Sequence, residues 1–190
     1  AENVAKENNI TRSKQDEFAL ESQKRALKAL DKKYFQNQII PIHIKKGKNI
    51  ETFEIDEHPK DTSIQSLNEL PPVFKKNGTV TAGNSSGIND GAAALILATE
   101  SEVVKSKLHP KAKILGYSHS GVRPEVMGVG PIPAVKKLCK KLNFDLEKFD
   151  VIESNEAFAA QACAVNEGLK LNAEKVNPNG GAIALGHPVG

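Results

Sequence analysis

Tryptophan is absent, tyrosine occurs twice, and seven phenylalanines are the only other aromatic rings in 190 residues. Few rings are therefore present on which nucleobases could stack. The net charge of +3 is spread among interleaved acids and bases rather than gathered into a tract, so nucleic-acid binding is disfavoured. No stretch approaches ~18 consecutive apolar residues, and the N-terminus has no apolar run of a secretory leader; a membrane span is not expected, and a soluble, cytoplasmic setting is. Cys139 and Cys163 form no Cys-x-x-Cys pair and are expected to be reduced, buried thiols. The histidines, His43, His58, His109, His119 and His187, include no pair at helical spacing, so no metal site is expected. No Gly-Lys-Ser/Thr phosphate loop occurs, and Gly128-Val129-Gly130 is followed by Pro133 where a dinucleotide fingerprint needs glycine. What remains is a globular chain, 39% hydrophobic, compatible with small anionic ligands.

The pattern along the chain predicts an α/β fold. Thr11 to Leu30 reads as an amphipathic helix with Ser13 and Asp16 at capping-box spacing and Phe18, Ser22, Ala26, Ala29 and Leu30 on one face. Ile40, Ile42 and Ile44 alternate with polar residues up to Lys46-Gly47-Lys48-Asn49, then alternation resumes, which predicts a hairpin with Pro41 on an edge strand. Residues 56–77 read as a loop with a short helix near Ile64 to Leu70. Strands are expected at Thr79 to Ala82, Ala92 to Ala98, Ala112 to Tyr117 and Val151 to Glu153. Helices are expected at Ser101 to Lys107, Pro131 to Leu142 and Glu156 to Leu169. Such alternation implies a sheet covered on both faces. The chain starts at Ala1 in what reads as a helix already under way and stops at Gly190 in a glycine-rich run, so both ends read as interior points of a longer polypeptide.

Three constellations carry chemical meaning. From Gly180 to Gly190, four glycines and two alanines occur in eleven residues, allowing a ligand to lie against the backbone. His187 stands in that loop between Gly186 and Pro188, either as a general base or oxyanion donor or as an exposed turn histidine. Asn155, in Asn155-Glu156-Ala157-Phe158, follows an expected strand and opens an expected helix. By position it is an N-cap; strand ends facing helix starts are also where α/β proteins bind ligands, and an asparagine there can hold a water. Gly83-Asn84-Ser85-Ser86-Gly87 satisfies the nucleophile-elbow pattern of hydrolases, but Asn89-Asp90-Gly91 makes a turn where the elbow needs a helix.

Taken in order, the block from Gly78 to Ala92, Met127-Gly128-Val129-Gly130-Pro131, Asn155-Glu156-Ala157-Phe158 and the loop ending in Gly186-His187-Pro188 resemble the thiolases along essentially the whole chain. The resemblance implies a layered α-β-α-β-α thiolase fold, present in part. Residues 1–85 would belong to the loop domain that binds coenzyme A, 86–110 to the end of the N-terminal core half, and 111–190 to the start of the C-terminal half. It also implies acyl transfer without a cofactor: Claisen condensation of two acetyl-CoA to acetoacetyl-CoA plus coenzyme A, and the reverse thiolysis. His187 matches the family's catalytic histidine and Asn155 the residue that holds a catalytic water. Ser86, with Ala82 beside it, matches the contact to the pantetheine arm, Ser66 and Lys60 the nucleotide end, and Met127 and Phe158 the wall around a short acyl group. A dimer or tetramer is implied.

Two departures keep other readings open. The family's nucleophilic and acid/base cysteines fall upstream of Ala1 and downstream of Gly190, and neither Cys139 nor Cys163 sits in a matching motif. The chain by itself is therefore expected to be inactive, with unpaired strand edges. The alternatives are a degradative 3-ketoacyl-CoA thiolase and a non-catalytic acyl-CoA-binding protein.

Overall fold

A computed structural model describes residues 1–189, and its organising element is a long, unusually polar helix. A short α1 (Glu2–Glu7) precedes α2 (Arg12–Asp31). Thr11, in extended conformation, accepts the Lys14 amide on its hydroxyl and so supplies the N-cap of α2. The Ser13–Asp16 capping box is thus corrected: Ser13 lies inside the helix and donates to Glu17, while Asp16 turns into the core. Gln15, Asp16, Ala19, Ser22, Gln23, Ala26 and Ala29 repeat at helical spacing and are all buried. Because several members of that stripe are polar, α2 fixes its neighbours through hydrogen bonds as well as through packing.

Against α2 lies α6 (Ala159–Leu169), in which every residue from Ala159 to Val165 is buried. Its small side chains let the two helices approach closely, and burial on all sides marks it as central. One apolar cluster gathers Val4, Ala5, Ile10, Val80, Val126, Ala160, Cys163 and Ala164; a second joins Ala19, Leu67, Ala159 and Ile183, with Phe18 touching both. Asp16, fully buried, accepts from Arg12 Nε at 2.7 Å and Asn84 Nδ2 at 2.9 Å. Asn84 in turn accepts the Thr81 amide and donates to the Thr79 carbonyl, and Arg12 reaches the carbonyls of Leu67 and Leu70. The glycine-rich segment after Gly78 is thereby tied to α2.

The expected hairpin forms as β1 (Ile42–Lys46) and β2 (Asn49–Phe53), antiparallel with Ile44 opposite Glu51. Helices α3 (Ile64–Asn68), α4 (Glu100–Lys105) and α5 (Pro131–Leu142) fall where the sequence places them. The strands do not. Residues 79–82 make only a bridge between Thr81 and Pro72, and Val151 to Glu153 only a parallel bridge between Ile152 and Val176. The runs Ala92 to Ala98 and Ala112 to Tyr117 are not strands, and Ile96 is 97% exposed. A strand exists by pairing, and no ladder partner lies beside these runs among the described residues. The second ladder among the described residues is parallel, between β3 (Ile88–Asn89) and β4 (His187–Pro188), the latter following α7 (Ala182–Leu185). Helix α6 begins at Ala159, three residues later than expected, with Phe158 in the N-cap position.

The cysteines are free, with Cys163 buried in the first cluster and Cys139 only half-buried on α5, contrary to the expectation that both are buried. Burial pushes the Cys163 thiol up to about 11, against the opposing pull of the Lys14 ammonium.

Three outcomes follow from this core. Asp16→Ala strands the Asn84 amide and one face of Arg12, and is expected to cost about 3 kcal/mol in urea unfolding. Because the folded-state pKa of Cys163 is raised, its contribution to stability is flat below the ordinary thiol value of 9.0 and is lost as pH rises from there to about 11. A Cys163→Ala variant removes that alkaline fall, and iodoacetamide labels Cys139 before Cys163 in the native state.

Candidate active site

The two residues singled out for chemistry lie in different segments and meet. Asn155 Nδ2 stands 3.3 Å from His187 Nε2. When the ring carries its proton on Nδ1, the amide donates into Nε2; when Nε2 is protonated, a flip of the amide lets Asn155 Oδ1 accept from it. Asn155 is exposed and His187 half-buried, so the pair is open to solvent. The N-cap reading of Asn155 is overturned, because α6 starts four residues later and its first turn leaves the Asn155 side chain free for His187.

His187 owes its place to its backbone. Its amide donates to Gly87 O and to Asn89 Oδ1, both at 3.1 Å, within the parallel pairing of Ile88 with His187. Gly186 precedes it with φ of 93°, a conformation open to glycine, and a Cβ there would collide with the Asn89 side chain.

Asn155 is held by its flanks. Asn177 Oδ1 accepts the Ser154 amide and its Nδ2 donates to the Ser154 carbonyl, each at 2.7 Å. On the other side, Glu156 is buried and accepts from Ser22 Oγ at 2.7 Å, Asn177 Nδ2 at 2.8 Å and Ile183 N at 3.2 Å. Ser22 also accepts the Gly181 amide. A Cβ on Gly181 would sit against the Glu156 carboxylate and 2.6 Å from Asn177 Nδ2, so only glycine lets the loop close over the acid. Burial, and then the charge of Glu156, push the neighbouring Glu153 carboxyl above its ordinary value.

Most of the other expected residues have partners of their own. Ser86 donates through both its amide and its hydroxyl to Ala157 O, at 3.0 and 3.1 Å, which seats it beside the Asn155 segment. Ala82 is exposed in the turn of the same loop. Phe158 pairs antiparallel with Ser85 and meets Phe74 edge-on, with ring centroids 6.0 Å apart. Met127 is 77% exposed. The Ser66 hydroxyl engages Ser63, whose side chain caps α3, and the Lys60 amide donates to Gln23 on α2. No hydrogen bond joins Ser66, Lys60 or Met127 to His187 among the described residues. An apolar cavity of about 420 Å³ between α5 and α6 reaches Asn155 and is lined also by Leu138, Cys139, Val151 and Val165; neither Met127 nor Phe158 lines it.

Sequence reasoning missed Glu156, Asn177, Ser22, Asn89 and His58. His58 Nδ1 must donate to the Ala184 carbonyl, 2.9 Å away, and its ring lies against Gly87. The available signals were an acid placed directly before an apolar helix and a serine between Ala19 and Ala26 at helical spacing on α2.

Comparison with known proteins gives the family and the fold. The family models for the thiolase N-terminal domain and the thiolase C-terminal domain match residues 1–101 and 108–190. Beta-ketothiolase BktB of Cupriavidus necator is 51% identical over all of this chain and 49% of its own length. The crystal structure of acetyl-CoA acetyltransferase from Bacillus anthracis superposes with a TM-score of 0.92 at 49% identity, covering 99% of this chain and 48% of that one. Human mitochondrial 3-ketoacyl-CoA thiolase in complex with CoA does so with a TM-score of 0.91 at 48% identity, covering 100% of this chain and 47% of that one. The chain thus spans about half the length of the relatives it matches, and over that half its backbone is the thiolase fold. By both family models and by these likenesses, the chain belongs to the thiolase family.

Proposed function

We propose that the complete polypeptide containing this chain is a thiolase-type acyltransferase that condenses two acetyl-CoA to acetoacetyl-CoA plus free coenzyme A and catalyses the reverse thiolysis. The observation that carries this is the 3.3 Å approach of Asn155 Nδ2 to His187 Nε2 on one open face. Making or breaking a carbon–carbon bond beside a thioester builds negative charge on the thioester oxygen. Two N–H groups held in fixed positions, one acting through a bound water, stabilise that charge without reorganising as it forms. His187 would donate directly and Asn155 would hold the water. The cysteine that takes the acyl group and the cysteine that moves the α-proton would come from polypeptide outside these residues.

Ser86 would meet the pantetheine arm with Ala82 beside it, Met127 and Phe158 would bound the acyl group, and Ser66 and Lys60 would face the nucleotide end. Residues 1–85 would form part of the coenzyme A-binding loop domain, 86–110 the end of the first core half and 111–190 the start of the second. On the same reading the complete enzyme needs no cofactor and works in the cytoplasm as a dimer or tetramer.

The likeness to human mitochondrial 3-ketoacyl-CoA thiolase, as strong as that to the acetyltransferase, favours one alternative: degradation of longer 3-ketoacyl-CoA chains. Measuring kcat/KM across chain lengths separates them. The short-chain reading expects acetoacetyl-CoA to be the best substrate, with a loss of about tenfold or more on lengthening the chain by two methylenes; a rise instead favours the degradative enzyme. In either case His187→Ala is expected to lower kcat for acetoacetyl-CoA cleavage by about 10² to 10³-fold. An undiminished rate in that variant would remove His187 from the chemistry, and coenzyme A binding without turnover in the complete wild-type polypeptide would mark a non-catalytic binding protein.

A further inference from the structure

Glu156 is 2% exposed and takes part in no ion pair among the described residues. A carboxylate removed from water without a cation is costly, and three donors meet the cost here: Ser22 Oγ, Asn177 Nδ2 and Ile183 N. They come from α2, from the turn after Val176 and from α7, elements remote in the chain. Glu156 directly follows Asn155, and Ile183 stands four residues before His187. Asn177, while donating to Glu156, also grips both backbone groups of Ser154, so Asn155 is bracketed by clamped residues. The Asn155 side chain has no hydrogen-bond partner other than His187 among the described residues, and so takes its position from that bracket.

Resting on the reading of His187 and Asn155 as the charge-stabilising pair, we propose that Glu156 is the positioning residue that sets their separation. Its carboxylate holds the loop of Asn155 and the loop of His187 in one frame and anchors both to Ser22 on α2. An acid is required, because Asn177 Nδ2 and the Ile183 backbone N–H can only donate, whereas the Ser22 hydroxyl could serve either an acid or an amide. In Glu156→Gln the new amide must turn an N–H toward another donor. In one orientation it meets Asn177 Nδ2, whose flip would forfeit both bonds to Ser154; in the other it meets the Ile183 amide, which cannot reverse. Side-chain volume is retained while the frame is lost.

The test compares Glu156→Gln in the complete enzyme with the same change in a His187→Ala background, reading kcat and KM for acetoacetyl-CoA thiolysis and the urea midpoint. Glu156→Gln is expected to lower kcat by about tenfold or more with KM within about twofold, and to have no further effect on kcat once His187 is gone. A structural role alone would lower the folded fraction and hence the rate by the same factor in both backgrounds, which overturns the proposal, as does a folded Glu156→Gln enzyme with wild-type kcat. Where Glu156→Gln does not fold, Ser22→Ala removes one donor and carries the same comparison, with about a threefold loss expected in the wild-type background alone. An undiminished His187→Ala enzyme sinks the parent reading and this inference together; a crippled His187→Ala beside an unimpaired Glu156→Gln sinks this inference alone.

Discussion

A buried carboxylate that accepts three hydrogen bonds ties together the loop of Asn155 and the loop of His187. Glu156 would be costly in this environment without Ser22, Asn177 and Ile183, and the Ile183 amide would be stranded without Glu156. The dependence runs outward from there. Gly181 can carry no side chain because the acid fills the space above it. Ser22 must sit on the buried stripe of α2, which gives that helix a polar residue in an otherwise close-packed face.

The same logic recurs one layer away. Asp16 fixes Asn84, Asn84 fixes the turn from Thr79 to Ser85, and that turn delivers Ser86 to the Asn155 segment. Both acids are buried on or against α2, so one helix sets the position of the two loops that carry Asn155 and His187 and of the loop that carries Ser86. Alanine-rich α6 fills the space beneath without demanding volume, which leaves the geometry of the loops to hydrogen bonds rather than to packing.

Elements fixed by local chemistry were readable from the residues. Helices α2 and α5 and the hairpin β1–β2 form where periodicity, proline and turn residues place them, because each draws its hydrogen bonds from its own segment or its immediate neighbour. The apolar runs at 92–98 and 112–117 were misread as buried strands within this chain, since a strand depends on partners that no local pattern reveals. The motifs singled out His187 and Asn155, and the structure brings the two side chains together. Their supporting acid was not, because its partners lie 134, 21 and 27 residues away along the chain and no spacing rule links them. Likewise the N-cap reading of Asn155 failed because α6 waits until Ala159, after the Asn84 carbonyl has taken the Ala159 amide.

The most direct measurement is a crystal structure of the complete enzyme carrying an unreactive analogue of acetoacetyl-CoA. The expected result is a thioester oxygen within about 3 Å of His187 Nε2 and of a water held by Asn155 Nδ2, with Glu156 still accepting from its three donors. A thioester oxygen bound elsewhere, with the side chains of Asn155 and His187 facing separate pockets, contradicts it.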